Sequence, residues 1–105
     1  MGGQGEASNP EQLFASSYSA SFLRALEMAA SQKLIELPAA TSIEAKVSLG
    51  TSSQGIGIAV NLRISLPGLA NLLAKELIDA ANKICPYSNA LKGNIQIELS
   101  LAEAA

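Results

Sequence analysis

Three observations predict an α+β protein whose antiparallel sheet packs on a long central helix. Residues 9–32 carry apolar side chains at helical spacing, and residues 43–66 switch to two-residue alternation. A second helical stretch from Leu69 is then followed by a last alternating run at Ile95, Ile97, Leu99 and Leu101. The predicted order is α-β-β-α-β, with helices covering one face of a three-stranded sheet.

The first helix has a well-marked start. Asn9 suits the N-cap, Pro10 the first helical position where its missing N–H costs nothing, and Gln12 stands three residues after the cap. Glu11 falls in the first turn, where the helix dipole favours a negative charge. Residues 1–8 are Gly-rich and polar and are expected to be a mobile lead-in. Phe14, Tyr18, Phe22, Ala25 and Ala29 share one face of the helix, while Leu13, Ala20 and Leu23 add apolar character on others. A helix apolar on several sides needs cover. Ser16, Ser17, Ser19 and Ser21 either bond back to the preceding turn or let another backbone come close.

From Ile43 the period becomes two. Ile43, Ala45, Val47 and Leu49 alternate with polar residues, and after a connection at residues 50–55 the pattern resumes at Ile56, Ile58, Val60, Leu62, Ile64 and Leu66, which predicts a hairpin with one buried face. Pro67-Gly68 ends it. Leu69, Leu73, Leu77, Ala80 and Ile84 then mark a helix that Pro86 stops, and Gly93 precedes the final strand. Three strands leave two open edges beside an apolar helix. A homodimer closed by two-fold symmetry is the expected solution.

Composition removes several kinds of chemistry. The 105 residues contain no His and a single Cys, so Ser-His-Asp and Cys-His nucleophile pairs and thiolate or His metal cages are excluded within one chain, and no metal or cofactor is expected. A net charge of -2 with scattered Lys and Arg argues against nucleic-acid binding. No run approaches the roughly 18 apolar residues of a membrane span, and the N-terminal residues lack a signal peptide's pattern, so a cytoplasmic protein is expected. One domain over residues 9–105 suits this length.

Two runs carry a family resemblance. Asn9-Pro10-Glu11-Gln12-Leu13-Phe14-Ala15, continued by Tyr18-Ser19-Ala20-Ser21-Phe22, resembles the central helix of the organic hydroperoxide resistance (Ohr) proteins of the OsmC-like superfamily. Val60 to Leu69, ending in Leu66-Pro67-Gly68-Leu69, and Cys85-Pro86-Tyr87-Ser88-Asn89 with Gly93-Asn94-Ile95, are similar to its later segments. The resemblance implies a thiol peroxidase: an intertwined homodimer that reduces fatty-acid and other organic hydroperoxides and is recharged by the dithiols of lipoyl proteins. It further implies that Cys85 occupies the resolving position, that Glu11 is the glutamate orienting the reactive group, and that the peroxidatic position falls on Ser21.

The departures lie at the chemistry. Ser21 stands where the family has its nucleophilic cysteine, and Ser17 where it usually has glycine. The family's N-terminal β-segment carries an arginine that activates the thiolate; with eight residues before Asn9 it is expected to have no counterpart, and neither Arg24 nor Arg63 matches its motif. A peroxidatic thiolate attacks the peroxide oxygen and becomes a sulfenic acid, a state closed to a hydroxyl. Cys85 sits at a helix C-terminus, whose negative pole disfavours a second negative charge; it either keeps a redox role or acts as a small apolar side chain. Glu11 either serves the site or simply complements the dipole. Phe14, Tyr18 and Phe22 either line a substrate pocket for a hydrocarbon tail or are plain core. Three functional readings stay open: a catalytically impaired paralogue binding a lipid-like ligand, a functional hydroperoxide reductase in altered form, and a subunit pairing with a longer homologue.

Overall fold

A computed structural model describes residues 10–52, 55–91, 93 and 95–102. The expected lead-in at residues 1–8 and the Asn9 cap lie outside the described residues.

Helix α1 spans Pro10–Gln32, and its buried residues Tyr18, Phe22, Ala25, Leu26, Ala29 and Ala30 recur at steps of three and four. Two of its other apolar positions, Leu13 and Met28, are exposed. Strands β1 (Ser42–Ser52) and β2 (Gly55–Ser65) form the hairpin, paired antiparallel from Ser42↔Ser65 to Ser52↔Gly55. The strands thus run further into the Gly-containing connection than the alternation of large side chains marks, because backbone pairing needs no apolar partner.

Leu66 accepts from the Leu69 amide at 3.2 Å across Pro67 and Gly68, whose φ is +92°. Pro at the second and positive-φ Gly at the third position make this a type II turn, a conformation that Gly alone adopts without strain. Helix α2 (Asn71–Ile84) follows, then a short helix α3 (Pro86–Leu91), then β3 (Gln96–Leu101).

The sheet corrects one expectation. Its order is β1-β2-β3, but β3 pairs with β2 in parallel, Val60↔Ile97 through Ile64↔Leu101, so the sheet is mixed rather than antiparallel throughout. The reason is the connection. A tight hairpin reverses the chain, whereas α2 and α3 carry it back along the sheet to start β3 beside β2 in the same direction. Pro86 also does more than stop a helix, since it opens α3.

One hydrophobic cluster joins the layers. Val60, Leu62, Ile64 and Leu66 of the central strand and its exit meet Tyr18, Phe22 and Leu26 of α1 and Ala74, Leu77, Ile78 and Ala81 of α2. Ile97, Leu99 and Leu101 extend the same face of the sheet.

Candidate functional site

The five residues Cys85 to Asn89 build a corner, and each has a physical task. Cys85 caps α2 in an extended conformation (φ -63°, ψ 121°), as a residue before proline requires, and its amide donates to the Ala81 carbonyl at 2.8 Å. Pro86 takes the first position of α3, where no amide hydrogen is missed. The Asn89 side chain donates back to the Lys83 carbonyl at 3.0 Å, satisfying a group that the end of α2 leaves open. Ser88, a buried polar residue, shares a 2.6 Å hydrogen bond with the hydroxyl of Tyr18 on α1.

That bond fastens the corner to the central helix. Tyr18 is fully buried, and a buried phenol needs a partner for its hydroxyl. Burial raises its pKa above the usual 10.0; the Ser88 bond opposes the rise, and charge on the neighbouring Cys85 adds to it. Three rings meet here. Tyr18 and Tyr87 have centroids 5.6 Å apart, Phe14 packs edge-on to Tyr18 at 6.0 Å, and Phe14 stacks on Tyr87 at 6.3 Å.

One turn further along α1, Ser21 points at Cys85, with Oγ 3.6 Å from Sγ. The cysteine is fully buried, while Ser21 is half-buried and faces an open groove. This groove, about 610 Å³, runs between α1 and the α2–α3 corner. Ser17, Ser21, Arg24 and Met28 contribute from α1, and Ile84, Pro86 and Tyr87 form the opposite wall.

The expected site residues therefore separate. Ser21 and Cys85 come together although 64 positions apart. Glu11 is half-buried in the first turn, ten residues before Ser21, which is about 15 Å along the helix axis. Phe14 and Tyr18 back the corner, Phe22 is fully buried in the core, and none of the three lines the groove. Of the serines on α1, Ser19 bonds back to the Ser16 carbonyl at 3.1 Å, whereas the Ser21 hydroxyl meets the sulfur. Sequence reasoning did not assign Tyr87, Ser88 or Arg24 to the site. The Cys85–Asn89 run that carries the resemblance was the available signal for Tyr87 and Ser88; nothing local marks Arg24, whose groove is completed by another element. No group of three or more metal-binding side chains occurs among the described residues, and no described helix is long and apolar enough to cross a membrane.

Chemically, the corner holds one thiol against one hydroxyl beside an apolar groove. Two thiols in that relation could form a disulfide by small side-chain rotations, whereas a thiol and a hydroxyl cannot.

Comparison with known proteins gives a consistent answer. Residues 3–100 match the model of the OsmC-like protein family. The chain is 45% identical over 101 residues to an organic hydroperoxide resistance protein from Xanthomonas axonopodis pv. citri, covering 96% of this chain and 71% of that one. The crystal structure of the organic hydroperoxide resistance protein OhrB of Bacillus subtilis superposes with a TM-score of 0.85 at 42% identity, covering 90% of this chain and 70% of that one. A related structure from Vibrio cholerae, described as a putative organic hydroperoxide resistance protein with captopril in one of its active sites, gives 0.81 at 36% identity, over 89% and 64% of the two chains. The chain belongs to the OsmC-like family and, within it, to the organic hydroperoxide resistance proteins.

Proposed function

We propose that this chain is a cytoplasmic, homodimeric hydroperoxide-resistance scaffold whose peroxidase centre is impaired at Ser21. The observation that carries the reading is the 3.6 Å contact between Ser21 Oγ and Cys85 Sγ, a two-residue centre with one sulfur. In a thiol peroxidase the thiolate attacks one peroxide oxygen, the O–O bond breaks, an alcohol leaves with a proton, and the sulfur becomes a sulfenic acid. A second thiol then expels water and closes a disulfide, which a dithiol such as that of a lipoyl protein reduces. A hydroxyl at position 21 can take neither part, because its oxygen has no accessible oxidised state of that kind. Cys85 remains as a partner without a disulfide to form.

The relatives' names support the groove beside Ser21 as the place where an organic hydroperoxide would bind, and the captopril in one active site of the Vibrio protein supports a small organic ligand there. Leu13, exposed on α1 outside the groove, supports a second copy as cover for that part of the helix. The test is Ser21→Cys. Wild-type protein with an alkyl hydroperoxide and dihydrolipoamide consumes no peroxide above the uncatalysed rate. S21C consumes it and closes an intrachain disulfide with Cys85, detected by mass spectrometry and lost in S21C/C85S. A wild-type rate equal to that of S21C overturns the impairment; a folded S21C that neither turns over nor forms the disulfide overturns the assignment of the two positions.

A further inference from the structure

The groove beside Ser21 contains a charge that the redox reading does not use. Ser17, Ser21 and Arg24 stand at i, i+4 and i+7 on α1, on one face of the helix, and all three line the groove. Every polar side chain lining it can donate a hydrogen bond, and among the described residues no carboxylate lines it. Glu27, three residues beyond Arg24, borders a different hollow with Leu34 and Leu37. The remaining walls are apolar and include Met28, Ile84 and Tyr87. The volume of about 610 Å³ suits a small organic ligand.

We propose that this groove binds a hydrocarbon monocarboxylate, with the headgroup on the Arg24 guanidinium and the Ser17 and Ser21 hydroxyls and the chain along Met28, Ile84 and Tyr87. A planar guanidinium matches a carboxylate through two parallel N–H···O bonds, so a fatty acid fits this donor set better than a neutral alcohol of equal length. Ser21 can change partner readily, because its 3.6 Å contact with the Cys85 thiol, weak whichever group donates, gives way to a bond donated to a carboxylate oxygen. The ligand is held without being transformed, and in that respect the inference rests on the reading of Ser21 as a position without redox chemistry.

Isothermal titration of the full chain with octanoate and with 1-octanol tests it. Octanoate binds more tightly than octanol. Arg24→Gln weakens octanoate about tenfold, as the loss of charge-assisted bonds requires, and Arg24→Lys falls between. Octanol affinity is the same in wild type and R24Q, and added salt weakens only octanoate. Arg24 is exposed, so thermal melts of R24Q and wild type coincide. Equal affinity for octanoate and octanol, an R24Q variant that binds octanoate like wild type, or no binding of either ligand overturns the proposal. The peroxide assay separates the two readings: octanoate held by Arg24 with an inactive S21C removes only the redox assignment, and an active S21C with octanoate indifferent to Arg24 removes only this one.

Discussion

Tyr18 shows how one buried phenol can bear on both stability and its pH dependence, the first through its bond to Ser88 and the second through its burial. Both groups are buried and 70 positions apart, so their 2.6 Å bond ties α1 to the corner that carries Cys85. Tyr18→Phe leaves the Ser88 hydroxyl buried without this partner, and a loss of about 1–3 kcal/mol at neutral pH is expected, measured by urea unfolding. The alkaline side follows from the raised pKa, caused mainly by burial. Above pH 10 the unfolded chain releases the Tyr18 proton while the folded chain retains it, so the unfolded state binds fewer protons and stability falls with rising pH. This contribution is fully present below pH 10 and is lost as pH climbs towards the folded pKa. The phenylalanine variant should therefore show a shallower decline of unfolding free energy above pH 10; an unchanged slope would show that Tyr18 does not supply it.

At the level of elements, the end of α1 is built against its own side chain. The Ile35 amide reaches the Ala30 carbonyl at 2.8 Å and the Leu34 amide reaches Ser31 at 3.1 Å, the paired bonds of a Schellman cap. The residue between helix and exit must be left-handed, and Leu34 occupies that place with φ +58° while its side chain is 95% exposed. Glycine is favoured there because it has no Cβ to clash. Leu34→Gly is expected to stabilise the protein by about 1 kcal/mol and raise Tm by about 4–8 °C, whereas Leu34→Ala, which keeps the Cβ, should give little of this gain. By contrast, the Pro67-Gly68 turn already has its preferred residue at φ +92°. The same kind of local chemistry made the start of α1 at Pro10 and the extended Cys85 before Pro86 readable from sequence, since each depends on the residue itself and its immediate neighbours.

Across the whole molecule, the single chain buries one face of α1 and leaves Leu13, outside the groove, 58% exposed. Both β1 and β3 lie at sheet edges. A second copy packed on α1 would remove that apolar surface from water, with roughly 25 cal/mol gained for each Å². Sedimentation velocity should give twice the mass of one chain, and Leu13→Glu should shift the equilibrium to the monomer without changing its fold by circular dichroism; a wild-type monomer at all concentrations removes the dimer from the proposal. The groove containing Arg24 is likewise a property of the assembled elements, formed where the middle of α1 faces the end of α2 and the start of α3.

By itself, the sequence determined the kind and order of the main elements, the faces they bury and the identity of the family, because periodicity, caps and short motifs are local and survive without knowledge of the neighbours. It also determined that the chain carries a single cysteine, Cys85. Only the tertiary structure decided that β3 runs parallel to β2. Alternation reports which side of a strand is buried and is the same for either direction, although the intervening helical segment was a signal for a crossover. Only the structure decided that Ser21 meets Cys85, that Tyr18 meets Ser88 and that Arg24 lines the groove, because such contacts join residues distant in the chain through the packing of α1 against α2 and α3.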